Sequence, residues 1–270
     1  MRLAIRHRTE YVYAAPAAAS VQYIRLTPRT DPMQRVVNWR LAMPGNAHPW
    51  TDGFGNLVHT VVVTEPHDRL VLEVEGEIDT TETWGVAPDS GGAPPECFLR
   101  STPLTANDER VRDFAAPFLA SRSRGTLPAL HALMSGLHDI VAPDSDDAGF
   151  RPTPLETLAR RSGASADHAH LFIACCRAWG VPARYVGGYL HIAAEDIDQV
   201  ASHGWAEAMV EDLGWVSFDP FNCRSATHAY VRLAVGFDAD GTQAVRGLRR
   251  GGGDAQMRVE IDVRATTEGQ

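Results

Sequence analysis

Ser165, His203 and Asp219 supply the side chains from which an acyl-transfer site is built: a hydroxyl nucleophile, an imidazole base and a carboxylate to orient it. Ser165 opens a run, Ala166 to Trp179, whose residues leave little polar surface and predict a helix buried on most sides. A side chain at a helix N-terminus faces unpaired N–H groups and the positive end of the dipole, which favours an anionic nucleophile or a developing oxyanion. His203, Trp205 and Glu207 share one face of a predicted strand, and Trp215, Ser217 and Asp219 share one face of the next. An even hairpin register points His203 and Asp219 the same way, whereas a one-residue slip separates them. The turn Glu211-Asp212-Leu213-Gly214 does not decide between the two.

Each of these residues also has a purely structural reading. Ser165 is a good helix N-cap with Asp167 in the first turn, His203 fits a satisfied core histidine, and Asp219-Pro220 is an ordinary strand terminus. Trp205 and Trp215 can wall a cleft that takes apolar side chains of a peptide, or simply pack the sheet. Glu207 and Asn222 are candidate supports of the site. Cys175 and Cys176 lie about 15 Å of helical rise from Ser165 and read as core. Cys223 follows Asp219 too closely to approach from the helix side. His168 and His170, two apart on a helix, point about 200° apart and cannot clamp one metal ion together, so no metal site is expected.

The elements that must position these residues fall into two parts. Residues 1–88 read as an all-β domain of short strands, among them LAIRHRTEYVY, VQYIRLTP, RVVNWRLAMP, LVHTVVVTE and RLVLEVEGEID, divided by Pro, Gly, Asn and Asp. A Pro/Gly-rich stretch, PDSGGAPP, marks a boundary. Residues 97–265 then run from helices (VRDFAAPFLA, LPALHALMSGLHDIV and the Ser165 helix) to strands ending in MRVEIDVRA, which gives an α+β core. RGLRRGGGD lacks the lysine and hydroxyl of a phosphate loop and reads as a flexible turn.

Composition narrows the function. A chain of 270 residues with 44% hydrophobic and 22% charged residues has room for two cores of modest size. A formal charge of −9 is opposite to the basic footprint that nucleic-acid binding needs. No segment approaches eighteen unbroken apolar residues and the first residues hold no signal-peptide core, so no membrane span and a cytoplasmic location are expected. Four cysteines without metal or CxxC spacing argue against a disulfide framework. No heptad or self-pairing strand fixes an oligomeric state.

Three blocks, GASADHAHLFIACCRAWGVPARYVGGYL, HGWAEAMV and LGWVSFDPFN, resemble the nucleophile helix, histidine strand and aspartate strand of the bacterial transglutaminase-like family. The N-terminal strands, with DGFGN, resemble the β domain that precedes this core in many members. The resemblance implies a papain-like core that catalyses acyl transfer or amide hydrolysis through a thioester, with no metal or organic cofactor, on a peptide or protein. By position, His203 matches the base and Asp219 the orienting acid, with Asn222 as an alternative orienter because papain-like enzymes use an amide there. Where the family reads Cys-Gln-Asp, this chain reads Ser165-Ala166-Asp167. The expectation is a degenerate member that binds a peptide or protein in the inherited cleft; the alternative is an active hydrolase or acyltransferase with a Ser-His-Asp triad.

Overall fold

The structure, a computed structural model, describes residues 1–87, 92–144, 151–192 and 202–266. The first sheet is antiparallel and holds β1 (Arg2–Thr27), β2 (Gln34–Ala42), β3 (Asn46–Thr51), β4 (Leu57–Val63) and β5 (His67–Thr80), in the order β2-β5-β1-β4-β3. The two strands predicted over LAIRHRTEYVY and VQYIRLTP are one strand of 26 residues. A register shift between Val12 and Ala17 lets its two halves keep separate partners, β5 first and β4 afterwards.

The chain then leaves this sheet. The two-residue strand β6 (Val86–Ala87) joins the second sheet, and residues 88–91 of the expected linker lie outside the described residues. Helices α1 (Glu109–Leu119), α2 (Thr126–Ile140), α3 (Pro154–Arg160) and α4 (Ser165–Ala178) follow, with the short parallel pair β7 (Ala142–Pro143) and β8 (Ser162–Gly163) between them. Next come β9 (Ala183–Leu190), β10 (Ser202–Val210), β11 (Gly214–Phe218) and β12 (Tyr230–Gly236). With β6 they form an antiparallel sheet ordered β12-β9-β10-β11-β6.

One face of that sheet packs on helices, where Ala206, Ala208, Val216 and Phe218 meet Leu171, Phe172 and Cys175 of α4. The other face packs on the first sheet, where Tyr189, Val231 and Leu233 meet Leu3, Ile5 and Ile24. The fold is α+β, with the all-β region first and helices on an antiparallel sheet after it.

The C-terminal segment corrects the expected boundaries. Strands β13 (Val245–Gly251) and β14 (Ala255–Ala265) hydrogen-bond to β1, so they complete the first sheet instead of extending the core domain drawn over 97–265. The run RGLRRGGGD is mostly strand: only Gly251, Gly252 and Gly253 turn the chain, at φ of 82°, 92° and 63°. No helix among the described residues is long and apolar enough to cross a membrane.

Candidate functional site

Helix α4 is capped by its own third residue. Ala164 is the N-cap, extended at φ −73° and ψ 173°, and its N–H donates to Asp167 Oδ2 at 2.9 Å. Ser165 is therefore the first helical residue, and the expectation that its hydroxyl caps the helix is not met: Ser165 Oγ accepts a hydrogen bond from the N–H of Gly204 at 3.3 Å. The carbonyl of Ala164 takes the N–H groups of both Asp167 and His168, at 3.0 and 3.1 Å. The amides of Ser165 and Ala166 have no partner among the described residues, so the helix end beside the hydroxyl keeps donors to offer.

The register of β10 with β11 pairs Ala206 with Phe218 and Glu207 with Ser217. Continued by one residue, it sets Trp205 opposite Asp219, so His203 and Asp219 are diagonal neighbours on one face. His203 Nε2 and Asp219 Oδ2 are 2.7 Å apart, and both side chains are buried. Asp219 is wholly enclosed, yet its carboxyl is held below the ordinary value: burial raises it, and the hydrogen bond and charge of His203, with the hydrogen bonds from Tyr230 and Asn222, outweigh that. Tyr230 O–H donates to Oδ2 at 2.6 Å and Asn222 Nδ2 at 2.8 Å, while the Asn222 N–H reaches Oδ1 at 3.2 Å. An ionised carboxylate only accepts, so the proton of a neutral His203 sits on Nε2 and Nδ1 keeps its lone pair.

The arrangement assigns Asn222 to Asp219. Its amide nitrogen lies 3.5 Å from His203 Nε2, but both atoms are donors, so Asn222 braces the carboxylate and does not orient the ring. The loop between them is closed by paired backbone bonds of Asp219 with Arg224, at 2.8 and 3.1 Å. It turns at Cys223, a non-glycine residue at φ 50°. Phe221 and Tyr230 set their rings edge-on to the imidazole, each 5.9 Å between centroids.

Glu207, Trp205 and Trp215 are all buried, the tryptophans packed in the sheet as one of their two readings has it. Glu207 shares the His203 face but is fully buried in an ion cluster, its Oε2 accepting from Arg184 Nε at 2.7 Å and from the second guanidinium nitrogen of Arg232 at 3.3 Å. Trp205 and Trp215 are 0% and 1% exposed, so neither walls an open cleft. Trp205 stacks under His203 at 6.4 Å and meets Tyr230 at 5.3 Å, whereas Trp215 lies beneath the Arg184 guanidinium at 4.0 Å and against Phe98. Both are buried in one apolar cluster with Met33, Phe98, Ala226 and Tyr230.

Cys175 and Cys176 are buried core residues, and burial raises both thiols far above the ordinary value. His168 faces two carbonyl oxygens, of Ala164 and Val141, each at 2.9 Å. His170 Nε2 accepts from the Ala239 N–H at 3.0 Å, and burial lowers its pKa to about 3. Both histidines are occupied by backbone, and no metal-ligand cluster occurs among the described residues. Tyr230 is a site residue that sequence reasoning missed: it begins a strand, and no spacing ties it to Asp219.

Comparison with known proteins bears on the family and the fold. The family model for the bacterial transglutaminase-like N-terminal region matches residues 3–79, and that for the transglutaminase-like superfamily matches residues 114–220. The chain is 26% identical over 279 residues to an uncharacterized protein of Mycobacterium leprae, covering 97% of this chain and 98% of the relative. It is 29% identical over 275 residues to one of Mycobacterium tuberculosis, covering 92% and 87%. Its fold is similar to the crystal structure of a cysteine-protease candidate from Cytophaga hutchinsonii, with a TM-score of 0.75, 18% identity and coverage of 100% of this chain and 92% of that one.

Proposed function

The chain belongs to the transglutaminase-like superfamily, and on that premise we propose that it binds a peptide or protein segment across Ser165, His203 and Asp219 while performing little acyl chemistry on it. The observation that carries this reading is the engagement of Ser165. Its Oγ accepts from the Gly204 N–H, and no hydrogen bond joins it to His203 among the described residues. A cysteine at a helix N-terminus beside an imidazole has its pKa lowered and is stored as a thiolate. A serine hydroxyl is not acidic enough to be stored this way, so it depends on His203 to take its proton during attack. The chemistry of the site calls for no metal or organic cofactor.

The alternative, an active amide or ester hydrolase or acyltransferase, is favoured by one feature: the enclosed Asp219 holds His203 with Nδ1 free to act as base. The test compares the unmodified protein, Ser165→Ala and Ser165→Cys for hydrolysis and amine transfer on a panel of peptide amides and esters. Equal traces for the unmodified and alanine proteins, with turnover gained by Ser165→Cys, support the binding role. Loss of a real activity in Ser165→Ala overturns it in favour of the serine enzyme.

A further inference from the structure

Tyr185 of β9 occupies a place that no side chain of Gly204 could share with it. A Cβ built on Gly204 would stand 1.9 Å from the Tyr185 hydroxyl oxygen and 2.6 Å from Cζ, so the missing side chain is what admits the phenol. The N–H of the same glycine holds Ser165 Oγ, so the phenol and the nucleophile position border one residue. His170 holds the ring from the helix side, at 5.1 Å and 37° between planes.

The Tyr185 hydroxyl also lacks what its neighbours have. Tyr189 O–H is bonded to His7 and Tyr230 O–H to Asp219. Tyr185 is 6% exposed and its hydroxyl has no hydrogen bond among the described residues. The hydroxyl is thus left free to donate to an incoming oxygen. Burial raises the phenol's pKa, so it remains a donor.

Resting on the peptide-binding reading, we infer that the Tyr185 hydroxyl, with the N–H of Ser165 at the start of α4, which bonds to none of the described residues, binds the carbonyl oxygen of an amide or ester in the bound segment. In an acylating site that oxygen becomes the oxyanion, and Tyr185 is then a catalytic donor that the change of nucleophile has left in place.

The experiment uses full-length Ser165→Cys protein with and without Tyr185→Phe, probed with an acetylated dipeptide aldehyde and with iodoacetamide. The thiol adds to the aldehyde carbon: the C–S bond forms, the π pair moves to oxygen, and the thiol proton completes a hemithioacetal whose oxygen lies at the proposed donors. Alkylation by iodoacetamide expels iodide and develops no oxyanion. Tyr185→Phe is expected to weaken aldehyde binding by at least about tenfold, as losing one oxyanion donor does elsewhere, with alkylation within about twofold of its parent. Gly204→Ala, which displaces the phenol, is expected to weaken aldehyde binding in the same way with Tyr185 intact. Unchanged aldehyde binding alongside rapid alkylation overturns the role of Tyr185 and leaves the peptide-binding reading standing. Equal losses with both probes also overturn it, as a sign of general disturbance. A Ser165→Cys thiol no more reactive than a free cysteine overturns both.

Discussion

Replacing Glu207 by glutamine removes one charge from the middle of the second sheet while keeping the side chain's shape. In the native protein Glu207 bridges Arg184 of β9 and Arg232 of β12, and Arg232 continues to Asp31 of the first domain at 3.2 Å. Beside this cluster is a cavity of about 20 Å³ lined by Arg29, Asp31, Gln34 and the two arginines, room for about one water. Water cannot therefore take over the lost charge. With Glu207→Gln, Arg232 keeps Asp31 while the charge between the two guanidiniums is lost. Removing one partner of a buried pair costs about 3–5 kcal/mol. Glutamine still accepts one bond, which puts the loss near the lower end. At about 2–4 °C per kcal/mol for a chain of this size, the melting temperature should fall by roughly 6–12 °C.

Urea unfolding followed by tryptophan fluorescence reads this directly, because Trp215 lies under Arg184. Glu75→Gln, which breaks an exposed pair with Arg6, is the control and should leave the midpoint unmoved. The pH dependence carries a sign. Burial raises the Glu207 carboxyl and the charges of Arg232 and Arg184 lower it, with the arginines prevailing. A depressed carboxylate stabilises the fold above its unfolded value and loses that contribution as pH falls through the folded one. The gap between parent and variant should thus be constant from pH 7 to about 5 and close in stronger acid. Since Glu207 does not touch His203, the thiol of a Ser165→Cys background should alkylate equally fast with either residue below the unfolding transition. A midpoint within about 0.5 kcal/mol of the parent would refute the cluster's role, and slowed alkylation would return Glu207 to the site.

In the Ser165→Cys background, Asp219→Asn should slow iodoacetamide alkylation at pH 6 by at least about tenfold, because the imidazole loses its anionic acceptor. Asn222→Ala should cost about twofold, since Asp219 still accepts from His203 and Tyr230; the reverse order of effects would make Asn222 the orienter. Burial holds His7 neutral down to about pH 4, so as pH falls below its unfolded value the unfolded chain takes up a proton that the folded one refuses. Stability should therefore decline over that interval, and His7→Gln should flatten the slope in urea midpoints from pH 7 to 5 by up to one proton, approaching about 1.4 kcal/mol per pH unit near pH 5; identical slopes in both proteins would refute it.

The chemistry of the candidate site was legible where it is local and periodic. Alternation put His203 on one face of a strand and Asp219 on one face of the next, and the apolar run after Ser165 announced a buried helix. The register that joins them was not legible, because it is set where Glu207 meets Ser217 and not in the turn. Alternation along Ala255–Ala265 likewise marked a strand without naming its partner, which is β1 at the far end of the chain. Glu207 misled for the same reason. Its face was right, but Arg232 arrives from a strand 25 residues later and claims the carboxylate.

Gly204 carries the argument furthest. A glycine inside a strand, between a histidine and a tryptophan, reads as a weak point in the ladder. In the fold it is where the helix start and two strands come within reach of one another. Its N–H meets Ser165 Oγ on one side, and the absence of Cβ leaves room for the Tyr185 hydroxyl. Neither contact is encoded in the spacing of 165, 185 and 204. Both depend on β9 and β10 pairing so that Ala206 meets Tyr185, which puts the phenol on the α4 face, two residues along the strand from Gly204. Any side chain at 204 would therefore force the phenol away from the nucleophile position.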